Sequence, residues 1–131
     1  MVRYCLDTGI VIAFFRNDSL ITKNIENLTS NNEICISYIT LCELYKGVYK
    51  SSNLNYELFW ITDFINSLDI LNFNKESCRF FGERFVKLQK EGKMVDDLDL
   101  MISSIAQTNN AILITRNKKD FENTGVKLEV W

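Results

Sequence analysis

The chain reads as a single α/β domain over residues 1–131, with a central, mainly parallel sheet of four to five strands between two helical layers. Three observations predict this α/β/α arrangement. Strand-like segments alternate with helix-like ones, the pattern of parallel strands joined by helical crossovers. Ala111 to Thr115, Ala-Ile-Leu-Ile-Thr, is a continuous apolar run without alternation, as a parallel strand covered on both faces requires. Finally, 131 residues at 47% hydrophobic and 24% charged can enclose one core but not two.

The elements follow in order. Arg3 to Leu6 is a short strand, and Thr8 to Arg16 opens a helix carrying Ile10, Val11, Phe14 and Phe15. Asn17 and Asp18 punctuate before a more polar helix from about Leu20 to Leu28. Ile34 to Ser37 is the second strand. From Thr40 to about Lys50, Leu41, Leu44, Tyr45 and Val48 recur at the spacing of a helix with one buried face. Tyr56 to Ser67 is a further helix, rich in aromatic residues, and Asp69 to Phe73 a third strand. Tyr56, Phe59, Trp60 and Phe64 are read mainly as core, with a dimer face or a partner groove as the alternative. A long helix covers Lys75 to Lys90 and stops at Gly92, a residue suited to a left-handed cap. Asp97 to Thr108 is a helix expected to turn Leu98, Met101, Ile102 and Ile105 inward. After the Ala111–Thr115 strand, Lys127 to Val130 supplies a last strand near a sheet edge.

Composition excludes whole classes of chemistry. There is no histidine, so Ser-His and Cys-His nucleophile pairs and HExxH zinc sites are ruled out. There is no proline, which suits a compact run of regular elements. Cys5, Cys35, Cys42 and Cys78 form no Cys-x-x-Cys pair and are read as four reduced core residues. The longest apolar stretch, Gly9 to Phe15, is far short of the ~20 residues that span a bilayer. The Met-Val-Arg-Tyr start carries no secretory pattern, so the expectation is a cytoplasmic protein without a membrane partner. Fifteen basic and seventeen acidic residues leave a net charge of −2, which argues against a uniformly basic coat but permits a local basic rim.

In such a sheet, strand C-termini and the N-termini of the following helices share one edge, where ligands bind. Asp7 closes the first strand, Glu43 lies early in the helix after the second, and Asp96, Asp97 and Asp99 open the helix leading into the fourth. Asn117 and Asp120 follow that strand directly. These acidic and amide groups would repel unless a cation lay among them, and an oxygen-only set suits Mg²⁺ or Mn²⁺ rather than zinc. An acidic pocket of this kind can activate water against a phosphodiester. Gly47 shares a helix stripe with Thr40 and Glu43, which suggests a close backbone approach beside the glutamate. Each residue also has an ordinary explanation. Asp7 is a good helix N-cap, Asp96 and Asp99 have the spacing of a capping box, Glu43 suits a solvated helix face, and Arg116, Lys118 and Lys119 suit a charged turn.

Four segments together carry a resemblance: Leu6-Asp7-Thr8-Gly9, Ser37 through Gly47 around Glu43, Val95 through Ile102 around Asp99, and Ile114 through Phe121. In this order they resemble the PIN-domain family and, more narrowly, VapC-type toxins of toxin–antitoxin pairs, over essentially the whole chain. The resemblance implies a PIN-like fold and a Mg²⁺- or Mn²⁺-dependent endoribonuclease that cleaves RNA, is restrained by a cognate antitoxin and is commonly a homodimer. It implies that Asp7, Glu43 and Asp99 form the acidic triad that holds metal, with Asp97 a further acidic position and Asn117 at the fourth. Thr8 and Thr115 match supporting polar positions, and Asp120 is the neighbouring acid. Arg116, Lys118 and Lys119 become candidate contacts to RNA phosphates. Gly9 stands where Asn or Ser is more usual, Met94 where proline is frequent, and Asp96 where glycine is frequent. Two other readings are a phosphatase with an Asp nucleophile on a similar sheet, against which the lack of a D-x-D pattern at Asp7 counts, and a catalytically weak PIN-like domain that only binds RNA or a partner.

Overall fold

The computed structural model describes Met1–Trp131, the whole chain. Its elements are β1 (Arg3–Leu6), α1 (Thr8–Phe15), α2 (Ser19–Thr29), β2 (Glu33–Ser37), α3 (Tyr38–Tyr49), α4 (Leu54–Asn66), β3 (Asp69–Leu71), α5 (Lys75–Lys90), α6 (Asp97–Thr108), β4 (Ala111–Thr115), α7 (Lys118–Phe121) and β5 (Leu128–Val130). The five strands form one sheet in the order β3-β2-β1-β4-β5, and every pairing is parallel. β1 lies at the centre, with Cys5 opposite Cys35 on one side and Leu113 on the other.

Side chains alternate across the sheet and divide the core in two. Leu6, Ile36 and Ile114 face α1–α4 and join Ile10, Val11, Ile21, Leu44 and Ile61. Their neighbours Cys5, Cys35 and Leu113 face the other way, against Ile102, Ile105, Ala106 and Phe121. This is the three-layer arrangement. The helix α5 lies outside α6, running antiparallel to it: the Ser77 hydroxyl near the start of α5 is 2.7 Å from that of Thr108 at the end of α6.

Local signals explain the boundaries. Asn17 (φ 59°) and Gly92 (φ 67°) adopt left-handed backbone just after α1 and α5. In both places the following two amides bond back to the last turn: Asn17 to Phe14 and Asp18 to Ala13, then Gly92 to Gln89 and Lys93 to Leu88. Asp18 then caps α2 by accepting from Ile21 N–H at 3.1 Å.

Several expectations need correction. Cys42 and Cys78 are exposed, and only Cys5 and Cys35 belong to the core. Leu98, in the first turn of α6, is 42% exposed, whereas the buried face is Leu100, Ile102, Ser103, Ser104, Ile105 and Ala106. No backbone approaches Gly47, which has open space around it. The four-residue α7, read as a charged turn, is helical and anchored by buried Phe121. β3 is shorter than expected, ending at Leu71.

Candidate active site

The C-terminal ends of β1 and β4 are neighbours, and this fixes the surroundings of Asp7. The Asp7 amide donates to Ile114 O at 3.0 Å, so the carboxylate emerges beside Thr115. One carboxylate oxygen caps α1 by accepting from Ile10 N–H at 2.9 Å; the other accepts from the Thr115 hydroxyl. Thr115 Oγ1 in turn accepts from the Asn117 amide at 3.0 Å. The capping role and the site role of Asp7 therefore coexist, one on each oxygen. No second acid follows Asp7 at the D-x-D spacing of an Asp-nucleophile phosphatase; Thr8 and Gly9 stand there instead. Asp7 is only 4% exposed, and burial is the main cause that pushes its carboxyl above the usual range, with Glu43 and Asp120 adding to the push.

Glu43 comes from the second turn of α3. Its carboxylate accepts from the Thr8 hydroxyl at 2.6 Å, and that hydroxyl lies 3.2 Å from the Thr40 hydroxyl. Thr40 is itself held by Ser37, which caps α3 by accepting from Thr40 N–H at 3.1 Å. A relay of short polar side chains thus ties the ends of β1 and β2 to Glu43.

Asp96 caps α6 by accepting from Leu98 N–H at 3.1 Å, so the expected capping box with Asp99 does not form. Asp99 is left for the rim. Desolvation, then the charges of Asp120, Asp96, Glu43 and Asp7, raise its carboxyl to about 6. Acids from the start of α1, from α3, from α6 and from α7 therefore feel one another at a single edge. Asp120, given only a neighbouring role by sequence, is the strongest charge acting on Asp99; its placement depends on α7. Asp97 is exposed at the first position of α6 and is not among the largest influences on Asp99 or Asp7. Asn117 is exposed, and its side chain makes no capping bond. Lys118 and Lys119 are exposed as well, while Arg116 pairs with Asp18 at 2.5 Å.

Asp7, Glu43 and Asp99 do not close into a ready cage: no three acidic or thiol side chains are arranged to enclose a cation. Unneutralised carboxylates repel, and Glu43 is tethered to Thr8 instead. The donor chemistry nevertheless fits a hard divalent ion. All donors are oxygens, the like charges that raise Asp99 are what a cation would relieve, and Mg²⁺ characteristically takes one or two carboxylates while keeping waters and substrate phosphates.

A parallel five-stranded sheet with an acidic edge of this construction defines a PIN domain, and residues 4–127 match that family. The chain belongs to the PIN-domain family, whose nucleases are generally metal-dependent. Within it, the chain is 35% identical over 130 residues to Ribonuclease VapC2 of Rickettsia felis, covering 98% of this chain and 97% of that one. It is 30% identical over 132 residues to the tRNA(fMet)-specific endonuclease VapC of Shigella flexneri, covering 100% and 99%. The VapBC2 crystal structure from Rickettsia felis, bound to a promoter DNA fragment, superposes with a TM-score of 0.92 at 33% identity over 99% of both chains. No helix is long and apolar enough to cross a membrane.

Proposed function

We propose that this chain is an endoribonuclease dependent on Mg²⁺ or Mn²⁺, the toxin of a toxin–antitoxin pair, acting in the cytoplasm as a homodimer. The observation that carries this reading is the convergence of Asp7, Glu43, Asp99 and Asp120 on one sheet edge of a PIN domain, where burial and the neighbouring charges raise the carboxyls of Asp7 and Asp99. Asp7, Glu43 and Asp99, assisted by Asp97 and Asn117, would hold the ion. When bound, such an ion neutralises charge on the phosphate and lowers the pKa of water toward neutrality.

The chain's own residues do the rest. Thr115 orients Asp7 and Thr8 orients Glu43, so both carboxylates are restrained before substrate arrives. Asp99, raised by desolvation and by the charges of Asp120, Asp96, Glu43 and Asp7, favours a cation beside it and would accept a hydrogen bond from a water placed in line with the phosphodiester. Lys118 and Lys119, unpaired beside the rim, contact backbone phosphates, and Arg116 joins them when it leaves Asp18.

A groove of about 770 Å³ runs from Glu43 between α1, α3 and α4, lined by Phe14, Phe15, Tyr56, Trp60 and Phe64. An antitoxin segment with an apolar helical face fits it, and such a segment would end at the acidic rim. The aromatic helix α4 is thus less core than its composition suggests: Tyr56 and Phe59 are each 65% exposed.

The decisive assay is RNA cleavage with mapped ends, with and without divalent ions, using tRNA(fMet) as first substrate in view of the Shigella flexneri relative. Asp7→Asn or Asp99→Asn should abolish cleavage while leaving the fold intact. Cleavage at the parental rate by either variant in Mg²⁺ would overturn the assignment.

A further inference from the structure

The helix α5 carries an excess of positive charge that the site does not use. Between Lys75 and Lys93 there are six basic residues against three acidic ones, in a chain whose net charge is −2. The chain's two ion pairs, Arg3–Glu33 and Arg116–Asp18, involve none of them. Arg84 is occupied locally, over the Phe80 ring at 5.2 Å and against Gly125. Lys75, Arg79 and Lys90 lie instead along one outward stripe, separated by Gly82 and exposed Val86, with Lys93 continuing it past the helix end.

Two further facts bear on this stripe. α5 is antiparallel to α6, so its C-terminal end and Lys93 approach the start of α6, where Asp99 lies. Charge on the last turn would be explained by the helix dipole alone, but Lys75 occupies the first helical position, where a cation opposes that dipole. Glu76 beside it offsets part of that cost, and the stripe itself, making no ion pair within the chain, is open to a ligand outside the fold.

We propose that Lys75, Arg79, Lys90 and Lys93 form a track for the sugar–phosphate backbone of RNA flanking the scissile bond. The track is about 24 Å long over sixteen helical residues. It would lead a long RNA to the acidic rim at the start of α6. The track contacts phosphates rather than bases, so it adds affinity without sequence preference. This inference rests on the ribonuclease reading above, and extends it to substrate beyond the cleavage point.

The test compares the parent with the triple variant Arg79→Ser, Lys90→Ser, Lys93→Ser. Binding is measured by fluorescence anisotropy in the Asp99→Asn background, with a tRNA-sized hairpin RNA over a series of salt concentrations. The triple variant should bind the hairpin about tenfold to a hundredfold more weakly, with a log–log salt slope shallower by about two to three. In proteins retaining Asp99, cleavage of a short single-stranded oligonucleotide should keep its parental kcat/KM. A control that removes equal charge elsewhere, Lys23→Ser, Lys46→Ser, Lys50→Ser, should bind the hairpin as the parent does. Unchanged hairpin affinity and slope in the first triple, or an equal loss in the control, would overturn the track. A parent that binds the hairpin through the stripe yet cleaves no RNA would instead sink the ribonuclease reading and leave the track standing.

Discussion

Asp99 holds its proton more tightly in the folded chain than in the unfolded one, because burial and four neighbouring acids raise it from 3.8 to about 6. The sign follows from linkage: its contribution to stability is fully present below pH 3.8 and is lost as pH rises through about 6. Asp7 is raised as well and acts in the same direction, whereas Asp18, lowered by Arg116, acts only at more acid pH. Metal-free protein should therefore melt a degree or two lower at pH 7.5 than at pH 5.5, equivalent to about 0.5 kcal/mol once the partial exposure of Asp99 is discounted. Differential scanning calorimetry in chelator checks this. Asp99→Asn should abolish most of the difference and melt above the parent at pH 7.5, while Mg²⁺ or Mn²⁺ should stabilise the parent more at pH 7.5 than at pH 5.5. A flat parental profile would mean that the acids do not share a rim. Gly9 offers a second residue-scale test. A Cβ there would sit 3.6 Å from Asp7 Oδ1, ordinary contact, and the backbone is helical. Gly9→Ser should stabilise by about 0.5 kcal/mol through the lower helical cost of serine, seen as a small rise in Tm.

At the scale of elements, the caps do most of the positioning. Asp18 ends α1, caps α2 with one oxygen and pairs Arg116 with the other, so one side chain joins the α1–α2 turn to the β4–α7 turn. Asp18→Ala should cost about 1 kcal/mol by loss of the cap, measurable as a lower urea midpoint with unchanged m-value. In α6, the buried Ser103 hydroxyl has no hydrogen-bond partner, unlike Ser104 and Thr108, which bond back to the helix carbonyls. Ser103→Ala should therefore be neutral or stabilising in the same measurement. Apolar runs and single-residue signals such as Gly92 locate the strands and helix ends, because those features depend on local sterics and burial. The exposure of Cys42, Cys78 and Leu98 depends on which way a helix faces, and a small apolar side chain carries little directional signal. The strand-end position of Asp7 was legible, but its partnership with Thr115 requires the pairing of β1 with β4, more than a hundred residues apart in the chain. The part played by Asp120 is hard to see in sequence for a similar reason, since a turn rich in lysine does not announce a short helix anchored by Phe121.

At the scale of the whole molecule, two surfaces of opposite character meet at the acidic edge: the aromatic groove between α1, α3 and α4, and the basic flank of α5. Glu43 belongs to both the groove and the rim, so a segment laid along Phe14, Trp60 and Phe64 reaches the acidic rim without any conformational relay. On the proposed reading, inhibition by the antitoxin and cleavage of RNA would draw on two surfaces that meet at Glu43. Trp60 is the natural place to separate them, being large, 46% exposed and stacked edge-on against Tyr56 and Phe59, with none of the site's hydrogen bonds passing through it. Buried aromatic anchors of this kind typically contribute about 2 kcal/mol or more to an interface. Trp60→Ala should raise the antitoxin concentration needed for half-inhibition about thirtyfold, while kcat/KM for RNA in the absence of antitoxin stays at the parental value. Titrating cleavage with antitoxin for both proteins decides the matter. Equal inhibition curves would place the antitoxin elsewhere on the surface, and a parallel loss of cleavage would mean that groove and rim are one site rather than two that touch.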